Sequence, residues 1–196
     1  MALGGEEGAR AEWGEARSGA ADEPSDLLER FAEGRLEAFE TLFRQFQGPV
    51  FAWIVRIVRD RGVAEDLTVE TFWRIHRARA RFDPRSPFGA WARRIATNAA
   101  LDHVRRAPAE VELSRHLTDG EPEDPGMRQE TREGIERAFR RLPPKLQVTA
   151  VLALIEERPY QEIAEALGTS EGTVKSRVFR AVRLLRNSLK RMGIEP

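Results

Sequence analysis

The chain has no cysteine, a single tyrosine and three histidines. Without cysteine there is no disulfide framework and no cysteine-ligated zinc site, and the composition suits a reducing compartment. His76, His103 and His116 stand far apart, so no metal-ligand spacing forms, and neither a metal nor a cofactor is expected. No apolar run is long enough to span a bilayer. The acidic first residues lack the hydrophobic core of a signal peptide. The expected location is therefore the cytoplasm, without membrane insertion. Strand alternation and nucleotide-type glycine loops are missing too, so no small-molecule substrate is expected.

Net charge is also missing: lysine plus arginine balance aspartate plus glutamate at 32 each. That zero hides a segregation. Residues 1–40 and 110–136 are acidic, whereas 74–106 and 175–191 are basic. Two separated basic segments in a neutral chain suggest two contacts on one polyanion. Alanine, arginine, leucine and glutamate dominate, which favours helix. The pattern predicts an all-α fold of two small helical domains joined by a flexible acidic linker.

Residues 1–24 have no periodicity and read as a disordered tail. Residues 25–107 form the first domain. Its opening helical stretch carries Leu28, Phe31, Phe39, Leu42, Phe43 and Phe46, interrupted near Gly34. Pro49 suits the first turn of a further helix with Phe51, Ile54, Ile57 and Val58, ending at Gly62. A helix from Ala64 to about Ala80 buries Leu67, Phe72 and Ile75. Asp83-Pro84-Arg85-Ser86-Pro87 is a stiff loop. Ser86 caps the next helix, with Pro87 at its first position and Phe88, Trp91, Ile95 and Ala99 as its apolar side. Trp91 is assigned to the core, whereas Phe88 is free to serve either core or site. Residues 108–127 read as the linker. Residues 128–192 form the second domain, with helices over 132–142 and 146–156 separated by Pro143-Pro144.

The second domain ends in a helix-turn-helix pattern from Tyr160 to Arg177. Ala164 allows close crossing, Gly168 suits a left-handed turn, and Ser170 can cap the second helix with Glu171 near its positive end. Ile163, Leu167 and Val174 fill the angle between the helices. Val174, Val178, Ala181, Leu185 and Leu189 recur at helical spacing and face inward. Lys175, Ser176, Arg177, Arg180, Arg183 and Asn187 are left outside, without intervening acids. A structural helical hairpin would normally mix both signs on such a face. This one suits phosphates and base edges.

Several motifs occur in a fixed order: Asp66-Leu67-Thr68-Val69-Glu70-Thr71-Phe72, Arg81-Phe82-Asp83-Pro84-Arg85, Phe88-Gly89-Ala90-Trp91 and Ile95-Ala96-Thr97-Asn98. Asp102, Arg105-Arg106, Leu142-Pro143-Pro144-Lys145 and the helix-turn-helix follow. From about Asp26 to Arg191 the chain closely resembles the extracytoplasmic-function group of the sigma-70 family of bacterial transcription initiation factors. The resemblance implies core RNA polymerase and promoter DNA as partners, the DNA both as duplex and as melted non-template strand. It also implies an anti-sigma factor, and no enzymatic activity. It makes Asp66, Glu70 and Arg74, which share one helix face at i, i+4 and i+8, the polymerase contact. It makes the first domain the one that melts the minus-ten element, through Phe88, Arg94, Asn98 and Arg105. Thr173, Lys175, Ser176, Phe179 and Arg180 then fall at or beside positions reading the minus-thirty-five element, with Arg177 and Arg183 better placed for phosphate. Where the family often has glutamine this chain has Val69, and where it has arginine this chain has Leu146-Gln147. Two other classes fit parts of the pattern. One is a duplex-binding regulator that needs no polymerase. The other is a nuclease using acids between Asp60 and Glu70, which lacks paired metal-binding carboxylates.

Overall fold

The computed structural model describes residues 25–106 and 125–194; between 125 and 130 it describes the backbone alone. The expected tail, and the linker up to residue 124, lie outside the described residues. Eight α-helices and no strand occur among the described residues. The chain divides into two compact units. Among the described residues, one holds 25–55 together with Arg61–Ala100; the other holds Arg56–Asp60, 101–106 and 125–194.

The first unit begins with α1 (Ser25–Ala32) and α2 (Leu36–Val58). Gly34 separates them at φ +90°, with its amide on Phe31 O at 2.9 Å and the Arg35 amide on Arg30 O at 2.9 Å. That left-handed reversal is one a side chain would strain. Pro49 does not start a helix, as expected, but lies inside α2. Leu42, Phe46, Val50, Trp53 and Ile57 are all buried. They form one stripe that continues on both sides of Pro49, and its burial outweighs the backbone bond a proline forfeits. Nor does Gly62 end that unit. Arg59 makes the reversal at φ +59°, and Gly62 lies in the first turn of α3 (Arg61–Ala78).

A short 3₁₀ turn (Arg79–Arg81) leads into the proline-bounded loop and α4 (Phe88–Arg106). The helix starts one residue later than expected: Pro87 O accepts the Trp91 amide at 3.3 Å, while the Ser86 amide turns back to Asp83 O at 2.8 Å. Its buried face also differs. Phe88, Ala92, Ala96, Ala99 and Ala100 are buried, while Trp91 and Ile95 are half-buried. Alanines let the α4 backbone approach its neighbours closely, a contact that hydrophobic bulk does not announce. Beneath it, Trp53 Nε1 donates to Thr97 Oγ1 at 2.9 Å, and that hydroxyl donates to Arg93 O at 2.8 Å.

In the second unit α5 runs over Pro125–Arg140, so Pro125, Gly126 and Met127 are helical rather than linker. Pro144 opens α6 (Pro144–Ala150), which passes into a π-helical turn (Val151–Ile155) instead of the single helix expected. The helix-turn-helix follows as α7 (Tyr160–Leu167) and α8 (Glu171–Arg191). Gly168 is left-handed (φ 58°, ψ 45°), as its position requires. Ser170 is extended, and its Oγ accepts the Thr173 amide at 3.2 Å. Ile163 and Val174 fill the angle, with Leu167 half-buried at its rim. Ala181 and Leu185 join Ala138, Phe139, Leu142, Ala150 and Val151 in one core, flanked by Leu189.

The cap makes a testable statement. Ser170→Ala should destabilise the second unit by about 1 kcal/mol, and Ser170→Gly by only a few tenths. The change should appear as faster hydrogen exchange at the Thr173 amide.

Candidate nucleic-acid and polymerase interfaces

With its inward stripe buried, α8 turns Lys175, Ser176, Phe179, Arg180 and Arg183 outward, all exposed. Phe179 is 69% exposed, an apolar ring set among cations. Arg180 Nη2 donates to Ser176 Oγ at 2.9 Å, one turn back, which steadies the guanidinium along the helix. Thr173 is half-buried and belongs to the cap, its hydroxyl 3.0 Å from Ser170 Oγ. Arg177 is half-buried too, beside the inward stripe. No carboxylate follows Glu171 on this helix, so its outer face carries an undiluted positive field.

On α4, Arg94, Asn98 and Arg105 are exposed and share one face, as their spacing predicts. Arg105 Nη2 contacts Asp102 Oδ1 at 3.2 Å. Phe88 corrects the sequence reading: at 1% exposure it cannot meet a base. Its ring lies 5.4 Å from Phe31, 5.0 Å from Phe46 and 5.8 Å from Phe82, centre to centre. Trp91, expected in the core, is the half-buried ring of this cluster, 4.8 Å from Phe82. Phe88 thus serves the core, and Trp91 sits at the edge of the cluster because the alanines, not Trp91, mark the inner side of α4.

The loop before α4 is braced. Asp83 Oδ1 accepts from Arg85 N at 3.1 Å and Arg85 Nε at 3.0 Å, and Oδ2 accepts from Arg85 Nη2 at 3.2 Å. The side-chain bonds from Arg85, then the backbone bond, hold the Asp83 carboxyl below its usual range; the same pairing raises Arg85.

On α3, Asp66 is exposed, whereas Glu70 and Arg74 are half-buried and engage each other, Arg74 Nη2 reaching Glu70 Oε1 at 2.6 Å. Two residues that sequence reasoning did not assign to a contact share this face, Val69 having been noted only as a departure from the family pattern. Val69 is 68% and Trp73 61% exposed, at i and i+4. The Trp73 ring stacks on His76 at 6.1 Å, and His76 meets Phe39 edge-on at 5.0 Å. A large exposed apolar pair beside a satisfied ion pair is the sign that would have found them.

Residues 42–109 match the family Sigma-70 region 2, and residues 132–185 match Sigma-70, region 4. The chain is 32% identical to the RNA polymerase sigma-H factor of Pseudomonas aeruginosa, over 86% of this chain and 95% of the relative. The chain belongs to the sigma-70 family, in its extracytoplasmic-function group. It is also 33% identical to the extracytoplasmic-function sigma factor BldN of Streptomyces coelicolor, over 82% of this chain and 63% of that longer protein. A solved structure of CnrH in complex with the cytosolic domain of CnrY superposes at a TM-score of 0.55 with 26% identity, covering 86% of this chain and 98% of CnrH. Sigma factors direct RNA polymerase to promoters and are transcription initiation factors, not enzymes. Among the described residues, no helix of this sigma factor is long and apolar enough to cross a membrane.

The loop brace has a pH signature. A depressed carboxyl keeps the Asp83–Arg85 bonds intact above the ordinary carboxylate range and loses them as pH falls through the lowered value. In an NMR titration Asp83 should therefore have a midpoint below that of an unpaired aspartate. Arg85→Ala should raise that midpoint back; an unmoved midpoint would contradict the brace.

Proposed function

We propose that the sigma-factor activity divides among three faces. The exposed side of α3, with Asp66, Glu70 and Arg74, docks on core RNA polymerase. The α4 face, with Arg94, Asn98 and Arg105, holds the melted non-template strand of the minus-ten element, while the braced loop beside it receives an unstacked base. The α8 face enters the minus-thirty-five major groove. There Lys175, Ser176, Phe179 and Arg180 meet base edges, and Thr173, Arg177 and Arg183 meet the backbone. An anti-sigma factor is a further partner, and the cytoplasm the site of action; in the similar structure, CnrH is bound by a cytosolic domain of a second protein.

The observation that carries this reading is α8 itself. It is a capped helix with one fully buried stripe and an opposite face of exposed cations free of acids. A regulator that needs no polymerase would share α8 but would leave the exposed Val69–Trp73 pair on α3 without a purpose.

Two substitutions separate reading from anchoring. Arg180→Ala should weaken holoenzyme binding to the cognate promoter by about 1–3 kcal/mol and relax preference at one base position. Arg183→Ala should weaken all sequences alike and reduce the salt slope by roughly one unit. Affinities for cognate and single-base-variant promoters at several salt concentrations decide it. A uniform loss from Arg180→Ala removes its reading role.

The α3 face has its own test. Trp73 is an exposed aromatic anchor, so Trp73→Ala should weaken binding to core polymerase by about 2 kcal/mol, roughly thirtyfold, with thermal stability unchanged. Competition for core enzyme against the unaltered protein measures it, and equal competition would dismiss this face.

A further inference from the structure

Two glycines far apart in sequence frame one contact in the second unit, and each is glycine for a different reason. Gly134 lies inside α5, where glycine is the poorest helix former after proline. A Cβ on Gly134 would overlap Ile194 Cδ1, so the absent side chain leaves a niche that Ile194 fills. Gly193 has nothing near the place of its Cβ, but its φ is +75°, so there the need is conformational. That angle reverses the chain after α8. The Met192 amide donates to Leu189 O at 2.9 Å, Gly193 to Lys190 O at 3.2 Å, and Ile194 back to Leu189 O at 3.0 Å. The bonds wrap the end of α8 and deliver Ile194 onto α5.

The contact sits at a boundary within α5. Among residues 131–142, whose side chains are described, the buried apolar ones, Ala138, Phe139 and Leu142, follow Gly134. Before Gly134 the helix sequence offers one large apolar residue, Met127, among Arg128, Glu130, Arg132 and Glu133. Most residues of this half are good helix formers, and Arg132 pairs with the buried Glu136 at 3.5 Å, but so short a stretch is marginal in water without a tertiary contact. At the other end, Leu189 and Met192 flank the core beside Ile135. α8 is thus fixed at its start by the Gly168–Ser170 turn and at its finish by the Gly193–Ile194 strap.

We propose that Ile194 is a latch: seated in the Gly134 niche, it holds the first half of α5 in its helix and clamps it to the last turn of α8. The latch mounts the helix that the preceding section reads as the DNA-contacting one. Its test needs no DNA, so the latch stands or falls apart from that reading.

A double-mutant cycle on the full-length free protein, read by hydrogen exchange, tests the latch. With Ile194 present, Gly134→Ala displaces the Ile194 Cδ1 methyl from the niche and should raise amide exchange over residues 125–134 roughly fivefold, together with the last turn of α8. Ile194→Ala alone should raise exchange over the same two stretches. In the Ile194→Ala background the niche is empty, and Gly134→Ala then adds only helix propensity. There it should lower exchange by roughly fivefold. The reversal of sign is the signature of the latch. The same sign in both backgrounds would overturn the proposal, as would unchanged exchange on Ile194→Ala. Neither substitution touches the main core, and circular dichroism of each variant shows that the chain still folds.

Discussion

The burial of one stripe, Val174, Val178, Ala181 and Leu185, fixes the rotation of α8, and what the outer face presents depends on that angle. A helix turned by one residue would swing Arg180 toward the core and Ala181 toward DNA. Small Ala181 lies at the centre of the contact, where α8 meets Ala138 and Ala150. The capped, left-handed turn at Gly168 sets where the helix begins, and the buried stripe sets which way it faces. Nothing in the exposed cations themselves contributes to this geometry, so they are free to serve binding.

The first unit solves its problem differently. Its centre is a set of aromatic rings around Phe31, which meets Phe82 at 5.8 Å, Phe88 at 5.4 Å and Trp91 at 6.2 Å. The proline-bounded loop is tied at both ends to this set, through Phe82 and Phe88. A loop anchored by two buried rings and cross-braced by Asp83 and Arg85 loses little further freedom when a ligand arrives. Arg94 and Asn98 rise from the helix that the same rings hold in place.

The elements whose chemistry is local were legible in the sequence. The Gly168 turn, the Ser170 cap and the α8 stripe each follow from residues within a few positions of one another. Elements decided by distant contacts were not. Pro49 reads as a helix start until the burial on both sides of it is known. Gly62 reads as a terminator although Arg59 takes the positive φ. Trp91 reads as core, and Phe88 stays undecided, because an alanine face carries no hydrophobic signal of its own. The exposure of Val69 and Trp73 escaped for another reason: the buried side of α3 follows from Leu67, Phe72 and Ile75, but nothing local shows that apolar residues off that side stand together in solvent.

The spread of burial among the tryptophans gives the protein built-in optical reporters. Trp53 is wholly enclosed, Trp91 is half-covered beside the loop, and Trp73 stands in solvent on α3. Indole emission moves to the blue as water is withdrawn, so the three rings differ in colour and in access to a dissolved quencher. Among these three described rings Trp73 is the one a soluble quencher reaches first, and a partner settling on α3 would shield it. Trp53 stays dark to the same quencher until its unit unfolds. With the fourth tryptophan, Trp13, replaced, one emission spectrum separates occupancy of a surface from integrity of the core beneath it.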